Sequence, residues 1–153
     1  MFEDLAKRET ASTGGQPHWR TDAVKPKVLI VDDDAAVTQQ LFWTLCDEFE
    51  VTTANDLSSA IRRATIYEPD LVILDLHLPP APDTPEVGLR ILDYIKGHLP
   101  VAKVFVASAG AGIEAQKDCV RRGADAFLTK PLEVERLLEL LRRAVAETRP
   151  DEL

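Results

Sequence analysis

The chain has 153 residues, 45% of them hydrophobic and 29% charged, with a formal net charge of −8. That length supports one good core and is short for two ordinary domains. The acidic balance argues against direct nucleic-acid binding, which needs a basic face, and no apolar run nears the roughly 18 residues of a membrane span.

The first residues, Met1-Phe2-Glu3-Asp4-Leu5, carry neither a basic head nor an apolar core of the kind that directs export, so the cytoplasm is the expected compartment. Cys46 and Cys119 are too few for a disulfide scaffold or a zinc site, and each falls in an amphipathic pattern that suits a buried reduced thiol. Residues 1–26 read as a flexible extension, because Ala11-Ser12-Thr13-Gly14-Gly15-Gln16-Pro17 has linker chemistry and Pro26 precedes the first strand.

Val28-Leu29-Ile30-Val31 predicts that strand, and Asp34 in the following Asp32-Asp33-Asp34 is placed to cap a helix over about 35–47. Val37, Leu41 and Leu45 give this helix one apolar stripe, with Phe42 and Trp43 off it. Glu50 to Ala54 predicts a second strand, and Asn55-Asp56 caps a helix carrying Leu57, Ala60, Ile61 and Ala64. Leu71-Val72-Ile73-Leu74-Asp75 is a branched apolar run ending in a carboxylate, the pattern of a strand buried on both faces. After the proline-rich stretch from Leu78 to Glu86 comes a helix from about Val87 to Gly97. A fourth strand over Val101 to Ala107, a helix over Ile113 to Arg122 closed by Gly123, a strand at Ala126-Phe127-Leu128 and a helix over about 132–147 complete the series. In the last helix Val134, Leu138, Leu141 and Val145 are expected to face inward. Strands alternating with helices predict an α/β fold, a doubly wound parallel sheet of five strands with helices on both faces. The expected organisation is an extension over 1–26, one domain over 27–147 and a tail over 148–153.

Polar residues fall where the strands end. Asp32 and Asp33 close the first strand, Asp75 the third, Ser108 the fourth and Lys130 the fifth. In a parallel sheet these ends open on one edge, which is where α/β sheets bind ligands. Three carboxylates in one mouth repel one another unless a cation intervenes, and hard oxygen donors suit Mg²⁺ or Mn²⁺. A carboxylate there, beside a metal and a lysine, can attack a phosphoryl group, with the Lys130 ammonium and the Ser108 hydroxyl placed to hold its oxygens.

Val-Asp-Asp-Asp after the first strand, Leu-Asp-Leu-His-Leu-Pro after the third, Ser-Ala after the fourth and Phe-Leu-Thr-Lys-Pro after the fifth resemble the receiver domain of two-component response regulators, from about Lys27 to Glu147. The resemblance implies the flavodoxin-like strand order 2-1-3-4-5, a fold shared by chemotaxis receivers. It implies Asp75 as phosphoacceptor, Asp32, Asp33 and Asp75 with the backbone carbonyl of His77 as the Mg²⁺ site, Lys130 as the phosphate-binding lysine, and Ser108 with Phe127 as the switch pair. Lys130-Pro131 resembles the family's cis peptide. The implied partners are a sensor histidine kinase or phosphotransfer protein, which donates from phosphohistidine, and a downstream protein target. A homodimer through helix 4, strand 5 and helix 5 is a further implication, with no direct nucleic acid and no membrane. Such a chain is a signalling switch rather than an enzyme acting on other molecules. The family reaches its glycine sooner after the acceptor than this chain, where it is Gly88, and His77 stands where the family tunes dephosphorylation.

Two other chemistries fit less well. A haloacid-dehalogenase-like phosphohydrolase wants a general acid two residues after the nucleophile, where this chain has His77. A nucleotide- or flavin-binding module wants glycines and free N–H groups after the first strand, where this chain has three aspartates. Within the receiver reading, a phosphorylation-independent scaffold and a receiver fragment of a longer transcription regulator stay open.

Overall fold

The computed structural model describes residues 24–110 and 112–148. The linker-like stretch over 11–17 and the residues past Thr148 lie outside the described residues. Five strands alternate with five helices: β1 (Lys27–Val31), α1 (Ala35–Leu45), β2 (Glu50–Ala54), α2 (Leu57–Tyr67), β3 (Leu71–Asp75), α3 (Glu86–His98), β4 (Lys103–Ser108), α4 (Ile113–Arg121), β5 (Ala126–Thr129) and α5 (Val134–Thr148). The sheet is parallel throughout, in the order β2-β1-β3-β4-β5.

The period-two alternation of a strand divides the core in two. Val28, Ile30, Leu71, Ile73, Phe105 and Ala107 point to one face, where Leu41 and Leu45 of α1 and Leu137, Leu141 and Ala144 of α5 cover them. Leu29, Val31, Val72, Leu74, Val104 and Val106 point to the other, under α2, α3 and α4. All five residues of β3 are buried, which fits its unbroken apolar run and its central place. Each large aliphatic side chain removed from water there contributes about 2 kcal/mol.

The predicted caps form. Asp34 accepts from Ala36 N and Val37 N at the start of α1, and Asp56 makes a capping box with Ser59 on α2. Gly123 follows α4 with φ +104°, the left-handed position a C′ residue takes. Lys130–Pro131 is cis as expected, and Pro79–Pro80 is cis as well.

Three expectations shift. β4 begins at Lys103 rather than Val101, which is 82% exposed because the chain first turns, with Ala102 N donating to Leu99 O. On α5 the buried stripe is Leu137, Leu141 and Ala144, with Val134, Leu138 and Val145 only half-buried. Apolar residues at neighbouring positions make that helix's phase ambiguous in sequence, and packing against Phe105 and Leu128 resolves it. Cys119 is buried, whereas Cys46, at the end of α1, is only partly covered.

The amino ends of the strands are pinned by a repeated device. Asp70, just before β3, accepts from Lys27 N at 2.8 Å through its side chain and donates its own N–H to Lys27 O at 2.9 Å. Asp125, just before β5, does the same to Val104, at 2.8 Å in both directions, and also accepts from Lys96 Nζ at 3.0 Å. Each aspartate thus binds an edge N–H that the sheet ladder leaves unpaired. Asp125→Ala is expected to destabilise by about 2 kcal/mol, the cost of leaving that donor unsatisfied, read as a lower urea midpoint at unchanged slope.

Candidate functional site at the carboxyl edge of the sheet

The carboxyl ends of β1, β3, β4 and β5 deliver their polar residues to one cleft. Asp32 leaves β1, Asp75 ends β3, Ser108 ends β4 and Lys130 follows β5. Asp32, Asp75 and Ser108 are buried at 5%, 8% and 1% exposure, while Asp33 faces solvent.

Carboxylate oxygens of Asp32, Asp33 and Asp75 all lie within 4.8 Å of one another, and this is the acidic cluster able to hold a metal among the described residues. Lys130 Nζ sits against two of the three, 2.6 Å from Asp32 Oδ2 and 3.4 Å from Asp75 Oδ2. Backbone N–H groups hold the same carboxylates: Asp34 N donates to Asp32 Oδ1 at 2.9 Å and His77 N to Asp75 Oδ1 at 3.2 Å.

Charge and burial compete here. Burial pushes the Asp75 carboxyl above its ordinary range and the Asp32 charge adds to this, while Lys130 and the His77 N–H pull it back without cancelling the rise. For Lys130 burial acts downward, but its hydrogen bond to Asp32 and the charges of Asp32 and Asp75 outweigh it and hold the ammonium above its usual value. The site therefore keeps a charged lysine beside a buried Asp75 carboxyl that ionises less readily than a free aspartate.

His77 places its Nδ1 3.4 Å from Ser108 Oγ. Phe127 lies on β5 opposite Val106, half-buried and packed against the core face under α2, α3 and α4, rather than in the cleft itself.

Sequence reasoning understated Gly88. Its N–H donates to Leu76 O at 3.1 Å, and a Cβ built on it would overlap Leu76 Cα and lie 2.7 Å from Leu76 O and 2.9 Å from Asp75 O. The start of α3 thus rests directly on the backbone that carries the Asp75 carboxylate, a contact only glycine permits. Gly88→Ala is expected to push α3 off β3, lowering stability by about 2 kcal/mol and misplacing Asp75. Thermal melting reads the first effect and phosphoryl uptake the second.

Residues 28–142 match the family model of the response regulator receiver domain. The chain belongs to that family. Response regulator receivers are the phosphoryl-accepting switches of two-component systems, and the strand order found here is theirs. Among curated relatives, the probable transcriptional regulatory protein TcrX of Mycobacterium tuberculosis is 34% identical over 84% of this chain and 55% of its own length. The nitrogen assimilation regulatory protein NtrX of Azorhizobium caulinodans is 32% identical over 80% of this chain and 26% of its own. The chain thus spans about half or less of the length of these regulatory proteins. Among solved structures, the NtrX receiver domain of Brucella abortus is 34% identical with a TM-score of 0.68, over 77% of this chain and 97% of that one. A CheY-like receiver from Methanospirillum hungatei is 25% identical with a TM-score of 0.76, over 84% of this chain and 99% of that one. Among the described residues of this receiver no helix is long and apolar enough to cross a membrane.

Proposed function

We propose that Asp75 is the phosphoacceptor of this receiver and takes its phosphoryl group from the phosphohistidine of a sensor histidine kinase or phosphotransfer protein. The observation that carries this reading is the clustering of the Asp32, Asp33 and Asp75 carboxylates within 4.8 Å, with Lys130 Nζ 3.4 Å from Asp75. A carboxylate oxygen of Asp75 attacks phosphorus, and the phosphorus–nitrogen bond breaks. The electron pair returns to the donor imidazole, which then takes up a proton, and an acyl phosphate is left on Asp75.

Three hard carboxylate oxygens, two buried and that of Asp33 open to solvent, fit Mg²⁺ or Mn²⁺, and Asp32, Asp33, Asp75 and the carbonyl of His77 are the groups that would hold it. When bound, the metal supplies positive charge to the phosphoryl oxygens. The chain's own residues do the rest. Lys130 neutralises one phosphoryl oxygen and Ser108 donates to another. Phe127 follows Ser108 as the second member of the switch pair, repacking the surface of α4, β5 and α5 for a downstream protein target or a second copy of the chain.

The unit that carries this chemistry is residues 27–147, preceded by 1–26 and followed by 148–153. It turns over only its own phosphoryl group, without contact to nucleic acid or membrane, and the cytoplasm is its setting. The length of the curated relatives favours a receiver that works beside an output module over a scaffold indifferent to phosphate.

Intact-mass measurement after incubation with Mg²⁺ and a small-molecule phosphodonor tests the reading. A labile adduct on the wild type, lost with chelator and lost in Asp75→Asn, is the expected result. An adduct that survives in Asp75→Asn would refute the assignment.

A further inference from the structure

The buried Ser108 hydroxyl meets the imidazole of His77, with Oγ 3.4 Å from Nδ1. The backbone of the same residue reaches the acceptor, because His77 N donates to Asp75 Oδ1 at 3.2 Å. One residue therefore touches both the carboxylate that would carry the phosphoryl group and the hydroxyl that would hydrogen-bond it.

We propose that His77 is a positioning residue that holds the Ser108 hydroxyl while Asp75 is unmodified, so that a phosphoryl group on Asp75 must take this hydroxyl from the imidazole. The inference rests on the reading of Asp75 as the acceptor.

The latch takes Nδ1 as the unprotonated ring nitrogen, accepting from the hydroxyl; a serine hydroxyl carries a single proton, so this bond and donation to a phosphoryl oxygen compete. Burial sharpens the competition, since water does not readily replace either partner. The exchange needs little backbone movement. Ser108 is fixed by its pairing with Thr129 and by Lys130 N donating to its carbonyl at 3.0 Å, so rotation about χ1 alone re-aims the hydroxyl. His77 is half-buried at the head of the loop from Leu78 to Pro85, and once its Nδ1 loses Ser108 the ring can turn out to water. Charging Asp75 would then present an imidazole on the β3–α3 loop that the resting protein keeps turned toward Ser108.

The test uses the full chain, with beryllofluoride as phosphoryl mimic in the presence of Mg²⁺, and affinity followed by tryptophan fluorescence or fluorine resonance. His77→Leu removes the competitor and is expected to bind the mimic about fivefold more tightly, the equilibrium equivalent of one ordinary net hydrogen bond. His77→Asn keeps a polar atom near the place of Nδ1 and is expected to stay within about twofold of wild type on the same scale. In a Ser108→Ala background the gain from His77→Leu should vanish. Independently of any variant, the His77 ring resonances should shift when the wild type is saturated, while those of His98, 21 residues away in sequence on α3, should not.

Equal or weaker affinity in His77→Leu, a gain that persists without the Ser108 hydroxyl, or an unmoved His77 resonance would each overturn the latch and leave the acceptor reading standing. Failure of the wild type itself to bind the mimic would overturn the acceptor reading and the latch with it.

Discussion

Lys130→Met is expected to cost the metal-free protein about 3 kcal/mol of stability, a fall in melting temperature of about 10 °C. Methionine keeps most of the buried stem, so the loss reports charge rather than packing. In the wild type the ammonium lies 2.6 Å from Asp32 and 3.4 Å from Asp75, and both carboxylates are nearly shut off from water. Without it, two negative groups share a low-dielectric cleft with no cation within 4 Å of either among the described residues. Two rescues separate this cause from a general loss of fold. Adding Asp32→Asn should return most of the stability, because the more buried charge is gone. Adding Mg²⁺ should return most of the variant's stability, about 2.7 kcal/mol at a hundredfold excess over its dissociation constant. A melting temperature unchanged from wild type in chelator would mean that the lysine is solvated rather than paired.

Asp75→Asn is expected to raise the melting temperature at neutral pH in the absence of divalent metal, while abolishing the phosphoryl adduct. Burial, assisted by Asp32, lifts the Asp75 carboxyl above its ordinary range, so its ionised form opposes folding. A group whose folded-state value is raised contributes stability that is fully present below the unfolded value and lost as pH rises through the folded one. The asparagine variant carries no such term. Its advantage should therefore be greatest at neutral pH and shrink as acid protonates the wild-type carboxyl, with the two melting curves converging at the acid end of the ordinary carboxylate range. The same titration governs chemistry, since only the carboxylate attacks phosphorus. Adduct formation should fall on acidification at a higher pH than an unperturbed aspartate would give. With saturating Mg²⁺ the stability order should reverse, because asparagine is the poorer oxygen donor. An Asp75→Asn protein less stable than wild type in chelator at neutral pH would sink this account.

Much of the fold was legible because the local signals agree with one another. The run from Leu71 to Leu74 has the unbroken branched pattern of a doubly covered strand, Asp34 and Asp56 mark helix starts by capping chemistry, and Gly123 marks a helix end. The polar mouth was legible for the same reason, since a strand end fixes which edge of the sheet a residue reaches. What escaped depends on tertiary distance. Val101 is β-branched and apolar, yet it precedes the point where the neighbouring strand begins to pair, so it faces water. The choice of Leu137 over Leu138 on α5 is made by facing residues, not by its own sequence. Within the cleft, sequence brings Lys130 to the acidic group but does not say that it sits closer to Asp32 than to Asp75. Gly88 shows the same limit, because its need for a bare backbone is set by Leu76, just past β3 and twelve residues earlier.

A groove of about 830 Å³ at the opposite edge of the sheet, lined by Lys27, Lys103 and Asp125 among others, also takes in Val24 and Thr148. The first and last described residues, Val24 and Thr148, therefore lie together at the amino edge of the sheet, opposite the acidic mouth. The packed sheet lies between that edge and the acidic mouth, so the two are coupled only as far as the sheet and its helices have two arrangements.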